Sequence, residues 1–189
     1  MSVHEPLRVW AHRLGDALDR AGFPNAIVGA LARNAWARPR ASTDVDMTIG
    51  LSADQMPALR SLIAGLGLIV RREHTVDPGD AVFDLMLLAA PDDPAVRLDL
   101  LVAKTPFEQE ALTRRVKAIV EGAVRWVITP EDLIVYKLVA GRSRDLADVE
   151  EVAATVALAR PIDWEYVMRH SEDFGVTDRA TALRQKLGQ

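Results

Sequence analysis

The spacing of apolar residues changes once along this chain, near Thr129, and that change restricts the fold more than any single motif. Before it, runs with a period of two are interleaved with runs of helical spacing. After it helical spacing dominates, with breaks near Pro161 and Gly175. Mixed α and β first, then helix alone, predicts an α+β core over residues 1–128 and a helical C-terminal cap over residues 129–189, packed as one unit. A length of 189 residues fits one domain with a small appendage.

Leu7, Val9, Trp10, Leu14, Leu18 and Ala21 recur at helical spacing and predict a helix over 6–21, ended by Gly22 and Pro24. Residues 25–29 read as a short apolar strand closed by Gly29, and 31–36 as one or two helical turns. Polar and apolar residues alternate over 44–49, the period of a strand. A second helix is predicted over 53–66, and a strand starts at 68–70. Residues 82–88 and 96–102, separated by Pro91-Asp92-Asp93-Pro94, read as a hairpin. Residues 107–116 read as helix, and 118–120 and 124–128 as short strands around Glu121-Gly122. Thr129-Pro130-Glu131-Asp132 combines an N-cap, a proline at the first helical position and acids that favour the helix dipole.

Composition removes several classes of function. Cysteine is absent, which excludes a disulfide scaffold, a Cys-ligated zinc site and a cysteine nucleophile, and fits a reducing cytoplasm. No apolar run reaches the ~18 residues of a membrane span, and Met1 to Trp10 lacks the pattern of a signal peptide. With 23 Lys+Arg against 27 Asp+Glu, the net charge of −4 argues against a strongly basic nucleic-acid binder. His4, His12, His74 and His170 show no H-x-x-x-H pairing, so surface or capping roles are expected. Solvated faces account for Arg71-Arg72 and for Arg114, Arg115 and Lys117 better than a grip on RNA phosphates does.

Three features carry chemistry. Asp44 and Asp46 sit at i and i+2 of a strand, so both carboxylates project from one face. Like charges so close repel, and a hard divalent cation, Mg²⁺ or Mn²⁺, suits them. A lone D-x-D is more often a polar face on an edge strand. Asp99 lies in the apolar strand Arg97-Leu98-Asp99-Leu100-Leu101, either facing outward between Leu98 and Leu100 or completing a two-metal site. Gly29 and Ala30 stand at a strand-to-helix turn, where glycine lets a phosphate approach backbone N–H groups, though an ordinary glycine turn reads the same way.

In order, these pieces run strand, Gly29-Ala30, helix, Arg40-Ala41-Ser42, Asp44-x-Asp46, then a hairpin bearing Asp99. The set resembles the nucleotidyltransferase superfamily related to DNA polymerase beta. It is closer still to the AbiEii-like branch of abortive-infection and toxin–antitoxin proteins. That branch reads Gly-Gly-x-Ala, then Trp, then Arg-x-Thr-x-Asp-Ile-Asp; here stand Gly29-Ala30-Leu31-Ala32, Trp36 and Arg40-Ala41-Ser42-Thr43-Asp44-Val45-Asp46. Its helical lysine with Arg-Asp-x-x-Asp is matched by Lys137 and Arg144-Asp145-Leu146-Ala147-Asp148. Ala30 departs from the usual Gly or Ser, and Ser42 stands where threonine is common. If one helix ran through Gly141, then Lys137, Arg144 and Asp148 would share a stripe, with Asp145 about 80° round from Lys137.

The resemblance implies a nucleotidyltransferase-type mixed β-sheet flanked by helices. It implies transfer of an NMP group from an NTP to an acceptor hydroxyl. Asp44, Asp46 and Asp99 would hold the metal, with Asp99 also helping to activate the acceptor. Gly29, Ala30, Ser42 and Arg40 would bind phosphates, Lys137 would meet the triphosphate, and Asp145 and Asp148 would position Lys137 or act on the acceptor. The toxin branch points to the 3′ end of tRNA as acceptor and to a cognate antitoxin as partner. The alternatives are an antibiotic-modifying enzyme with a small-molecule acceptor, and a non-catalytic binding module with this fold.

Overall fold

The computed structural model describes residues 5–188. His4, and the first residues of the segment read as lacking a signal peptide, lie outside the described residues.

The first helix, α1 (Glu5–Arg20), buries Leu7, Trp10, Ala11, Leu14 and Leu18, the stripe set by its 3–4 residue spacing. Then follow β1 (Asn25–Ile27), α2 (Gly29–Trp36) and β2 (Asp44–Ile49). A 3₁₀ turn (Ala53–Gln55) leads into α3 (Met56–Gly65). The strands β3 (Ile69–His74), β4 (Leu85–Ala89) and β5 (Arg97–Val102) come next, then α4 (Pro106–Arg114). A second hairpin joins β6 (Val116–Val120) to β7 (Ala123–Val127). Its Glu121 and Gly122 both have positive φ, the geometry a two-residue hairpin turn favours. The chain closes with α5 (Pro130–Ala140), α6 (Ser143–Ala157), α7 (Trp164–Asp173) and α8 (Thr177–Lys186).

The seven strands form one mixed sheet in the order β3-β4-β5-β2-β1-β7-β6. β2 runs parallel to β5 and β1 parallel to β7, while the remaining pairs are antiparallel. Alternation along β2 sorts its side chains. Val45, Met47 and Ile49 are buried, and Met47 lies against Gly15 of α1. Asp44, Asp46 and Thr48 face the other way, toward α5. One apolar core runs from Leu7 through the sheet to Leu183 of α8. Thr129 caps α5 as the sequence predicts, accepting from the Asp132 N–H while its hydroxyl donates to Asp132 Oδ2 at 2.6 Å. Among the described residues no helix is long and apolar enough to cross a membrane.

Several expectations need correction. The strand expected from Val82 starts at Leu85; the chain bends at Asp84, whose carboxylate accepts from the Val76 N–H. The helix expected to reach Val116 stops at Arg114, and Val116 already pairs with Val127. No single helix carries Lys137 and Asp148: Gly141 takes the left-handed conformation (φ 64°) and ends α5, its N–H bonding Lys137 O. His170 is buried rather than superficial, set between Glu110 and Asp173 and against the rings of Phe107 and Tyr166. The basic cluster at the end of α4 is a solvated face only in part: Lys117 is exposed, whereas Arg114 stacks over Tyr166 and Arg115 over Trp126, both half-buried.

Candidate active site

The parallel pairing of β2 with β5 sets the geometry. In that register Asp46 stands opposite Asp99, and Asp44 opposite Arg97. The two acids of β2 and the one of β5 therefore emerge from one face of the sheet. They line a cleft of about 370 Å³. Gly29, Ala30, Arg40, Ser42, Lys137 and Asp145 line the same cleft, whereas Asp148, also singled out in the sequence, does not.

Gly29 has two reasons to be glycine. Its φ is +63°, and a Cβ built on it would lie 2.0 Å from Asp46 Oδ2. Asp46 is thus packed against bare backbone at the first turn of α2. Val28 offers that helix no side-chain cap, leaving the helix N-terminus open to an anion. The Ser42 hydroxyl is not free: it donates to Asp44 O at 3.0 Å and to Asp44 Oδ1 at 3.2 Å. These bonds tie the hydroxyl to the Asp44 backbone and carboxylate.

Burial, together with the nearby charges of Asp44 and Asp99, pushes the Asp46 carboxyl up to about 7. Burial and Asp44 also raise Asp99, against the pull of Arg97. A divalent cation among these groups would relieve the repulsion, and three carboxylates are the hard oxygen donors that Mg²⁺ or Mn²⁺ takes. By charge and donor chemistry the residues fit such an ion. Their present arrangement is not a finished coordination shell, since no three metal-ligating side chains among the described residues converge, and Asp44 Oδ2 is 3.2 Å from Arg97 Nη2.

Behind the acids stands a buried ionic network. Lys137 Nζ donates to Asp145 Oδ1 at 3.0 Å and to Asp148 Oδ2 at 2.7 Å. Arg40 binds both oxygens of Asp148, at 2.9 and 2.7 Å, and Arg33 Nε lies 3.3 Å from Asp148 Oδ1. Arg33 also pairs with Glu151 and donates to Arg38 O. Arg142 Nε reaches Asp145 Oδ2 at 2.5 Å from the cleft side. Burial alone would raise the Asp148 carboxyl, but hydrogen bonds from Arg40 and Lys137 outweigh it and hold the group at about 2. Asp145 is likewise lowered, burial being overcome by Arg142 and Lys137.

Two members escaped the sequence reading. Arg33 is a buried arginine whose carboxylate partners lie more than a hundred residues away, so local spacing gives no sign of it. Arg142 follows the helix-ending Gly141, and its position beside Asp145 depends on that break. Arg144, by contrast, is exposed at the cleft and makes no bond to Lys137 or Asp148 among the described residues.

Gly29→Ala should cost about 1–2 kcal/mol from the left-handed conformation alone. It should also turn the Asp46 carboxylate out of place, so that Mg²⁺ binding, measured by calorimetry, falls far more than the melting temperature. The Asp148 effect has a definite sign. Its folded pKa lies below the ordinary carboxylate value, so its contribution is complete above about pH 4 and is lost as pH falls toward 2. Asp148→Asn should therefore destabilise the fold by about 3–5 kcal/mol near neutrality. Denaturant melts of both proteins should show that gap narrowing below pH 4, and a gap independent of pH would contradict the assignment.

No protein-family model matches the chain, and no curated protein matches it. Solved structures do. The antibiotic-resistance factor ANT(2'')-Ia superposes with a TM-score of 0.62 at 18% identity, over 95% of each chain. The lincosamide antibiotic adenylyltransferase LnuA, bound to lincomycin, gives 0.53 at 12% identity, over 80% of this chain and 98% of its own. The nucleotidyltransferase toxin MenT4 from Mycobacterium tuberculosis gives 0.52 at 18% identity, over 87% of this chain and 61% of its own. With its acid-bearing mixed sheet and helical C-terminal region, the chain has the fold of the nucleotidyltransferases.

Proposed function

We propose that the protein is a metal-dependent nucleotidyltransferase that moves an NMP group from an NTP to an acceptor hydroxyl and releases pyrophosphate. The observation that carries this is the β2–β5 register, which sets Asp46 beside Asp99 at the floor of a cleft walled by Gly29 and cationic side chains. Mg²⁺ or Mn²⁺, held by Asp44, Asp46 and Asp99, would neutralise the phosphates and lower the pKa of the acceptor hydroxyl. Asp99 would take the hydroxyl proton. The acceptor oxygen then bonds to the α-phosphorus as the bond from that phosphorus to the β-phosphate's bridging oxygen breaks. The backbone at Gly29 and Ala30 would receive phosphate oxygens.

The network amends one role. Lys137 is buried and already holds two carboxylates, so it acts as a fixed positive charge at the back of the cleft. Arg40 is likewise committed to Asp148. Arg142, whose side chain is 78% exposed although it holds Asp145, and Arg144, exposed at the same cleft, are the cations left to reach a triphosphate directly. In this reading residues 1–128 supply the metal ligands, and residues 129–189 supply the charges that face them.

Two acceptors follow from two lines of support. The AbiEii-like motifs, with a toxin among the structures of this fold, support the 3′ end of tRNA, and a cognate antitoxin would then be a partner. A small-molecule hydroxyl is supported by the end-to-end match with an antibiotic-resistance factor. It is also supported by the stacking of Arg114 and Arg115 on aromatic rings, which leaves those two arginines less free to grip RNA.

Label transfer tests the reaction. The protein is incubated with Mg²⁺ and each NTP radiolabelled at its α-phosphate, with total tRNA or a panel of aminoglycosides and lincosamides. Label should pass to one acceptor class and fall at least about 100-fold with Asp44→Asn/Asp46→Asn. Label on tRNA supports the toxin reading, and label on a small molecule supports the resistance reading. Transfer that survives the double substitution contradicts the metal-ligand assignment, and transfer to no acceptor speaks for a binding module.

A further inference from the structure

The sheet ends in two edge strands, β3 and β6, and they differ in kind. β3 carries Arg71 and Arg72, and its register shifts between Val70 and Arg72. Charges and a bulge are the devices that keep an edge strand from pairing further. β6 has no bulge, no proline and no glycine, and pairs with β7 in unbroken register. Its one charge is Lys117. The side chains on one face of this hairpin are apolar and open to solvent: Ile119 is 71% exposed, and Val124, opposite it on β7, is 56% exposed. Lys117 and Trp126 share that face.

The backbone alternation fixes which groups face outward. The Ile128 N–H bonds Ile27 O of β1 at 3.2 Å, so the preceding residue, Val127, and Arg125 direct theirs toward β6. Val116 and Ala118, their partners, answer toward β7. Lys117 and Ile119 lie between these positions and direct their N–H and C=O groups to the open edge. We infer that this edge pairs, antiparallel, with the same edge of a second copy of the chain, about a two-fold axis at Ile119.

Charge selects that register. Centred on Ile119, the pairing sets Ile119 against the partner's Ile119, Ala118 against the partner's Val120, and Lys117 against the partner's Glu121 at the hairpin turn. The opposite charges meet twice, once on each side of an apolar centre that Val124 of each copy extends. Centring on Ala118 would oppose Lys117 to Ile119 and leave Glu121 unmatched, and centring on Lys117 would oppose the two lysines. The outward backbone groups at 117 and 119 find partners only where residues of the same parity meet, which the Ile119 register satisfies. β7 and β1 stand between this edge and β2, so the pairing leaves the acid cleft clear and does not depend on the reaction proposed for it.

Sedimentation velocity of the full chain across about 1–300 µM tests the pairing. The unaltered protein should pass from monomer to dimer over that range. Ile119→Lys, at an exposed position, should stay monomeric throughout. Lys117→Glu and Glu121→Lys should each weaken the dimer about tenfold, because each sets two like-charged pairs opposite one another. Combining these two substitutions exchanges the charges and should restore association to within about threefold of the unaltered protein, a recovery that misfolded variants would not show. A monomer at every concentration overturns the inference, and so does a dimer that survives Ile119→Lys. A combined variant as weak as either single one overturns it as well.

Discussion

The carboxylate of Asp148 is shared by three cations from three parts of the chain: Arg33 of α2, Arg40 of the following loop, and Lys137 of α5. None of the four is more than a quarter exposed at its side chain, so each depends on the others for solvation. Removing the acid would leave three cations facing one another across a dry interface. The bond is therefore a geometric constraint before it is a source of stability. It fixes the α2–β2 loop against α6, and that loop leads directly into Asp44 and Asp46. Asn34 secures the same loop by exchanging hydrogen bonds with the Arg40 backbone, at 2.8 and 3.0 Å.

In front of this closed network stands an open one. Behind, charges are matched and the Asp148 and Asp145 carboxyls are pulled down; in front, Asp46 and Asp99 are pushed up by burial and by their like-charged neighbours. The contrast lies in what the fold supplies. The rear acids are given protein cations, whereas the front acids are given each other and, for Asp44, the largely exposed Arg97. An arrangement that repels itself at rest is what a site built to receive a divalent cation requires. Gly29 takes part in the same design, because its missing side chain is the space Asp46 occupies.

The sequence made the front of the site legible and the rear only partly so. Period-two alternation located β2 to the residue, and i, i+2 spacing put Asp44 and Asp46 on one face. The Val96–Val102 run located β5 within a residue, though the pairing that brings Asp99 to Asp46 is a tertiary fact. Lys137, Asp145 and Asp148 were found through family likeness, but their geometry was expected on one continuous helix. Gly141 breaks that helix, and the two halves fold back so that Lys137 meets the acids across a helix–helix interface. Arg33 left no local trace, because a buried arginine is recognised by its partners and these lie far off in the chain. Val116 and Val82 were misplaced at element ends, where a single β-branched residue is compatible with either state.

The central claim is that the front acids form a cation site and that the nucleotide completes it. The most direct test is the melting temperature with and without millimolar Mg²⁺ plus NTP, for the unaltered protein and for Asp44→Asn/Asp46→Asn. This account predicts a clear rise for the unaltered protein and little for the variant, which should itself melt higher than the unaltered protein when metal is absent. Equal shifts in the two proteins, or a variant that is less stable without metal, would contradict it.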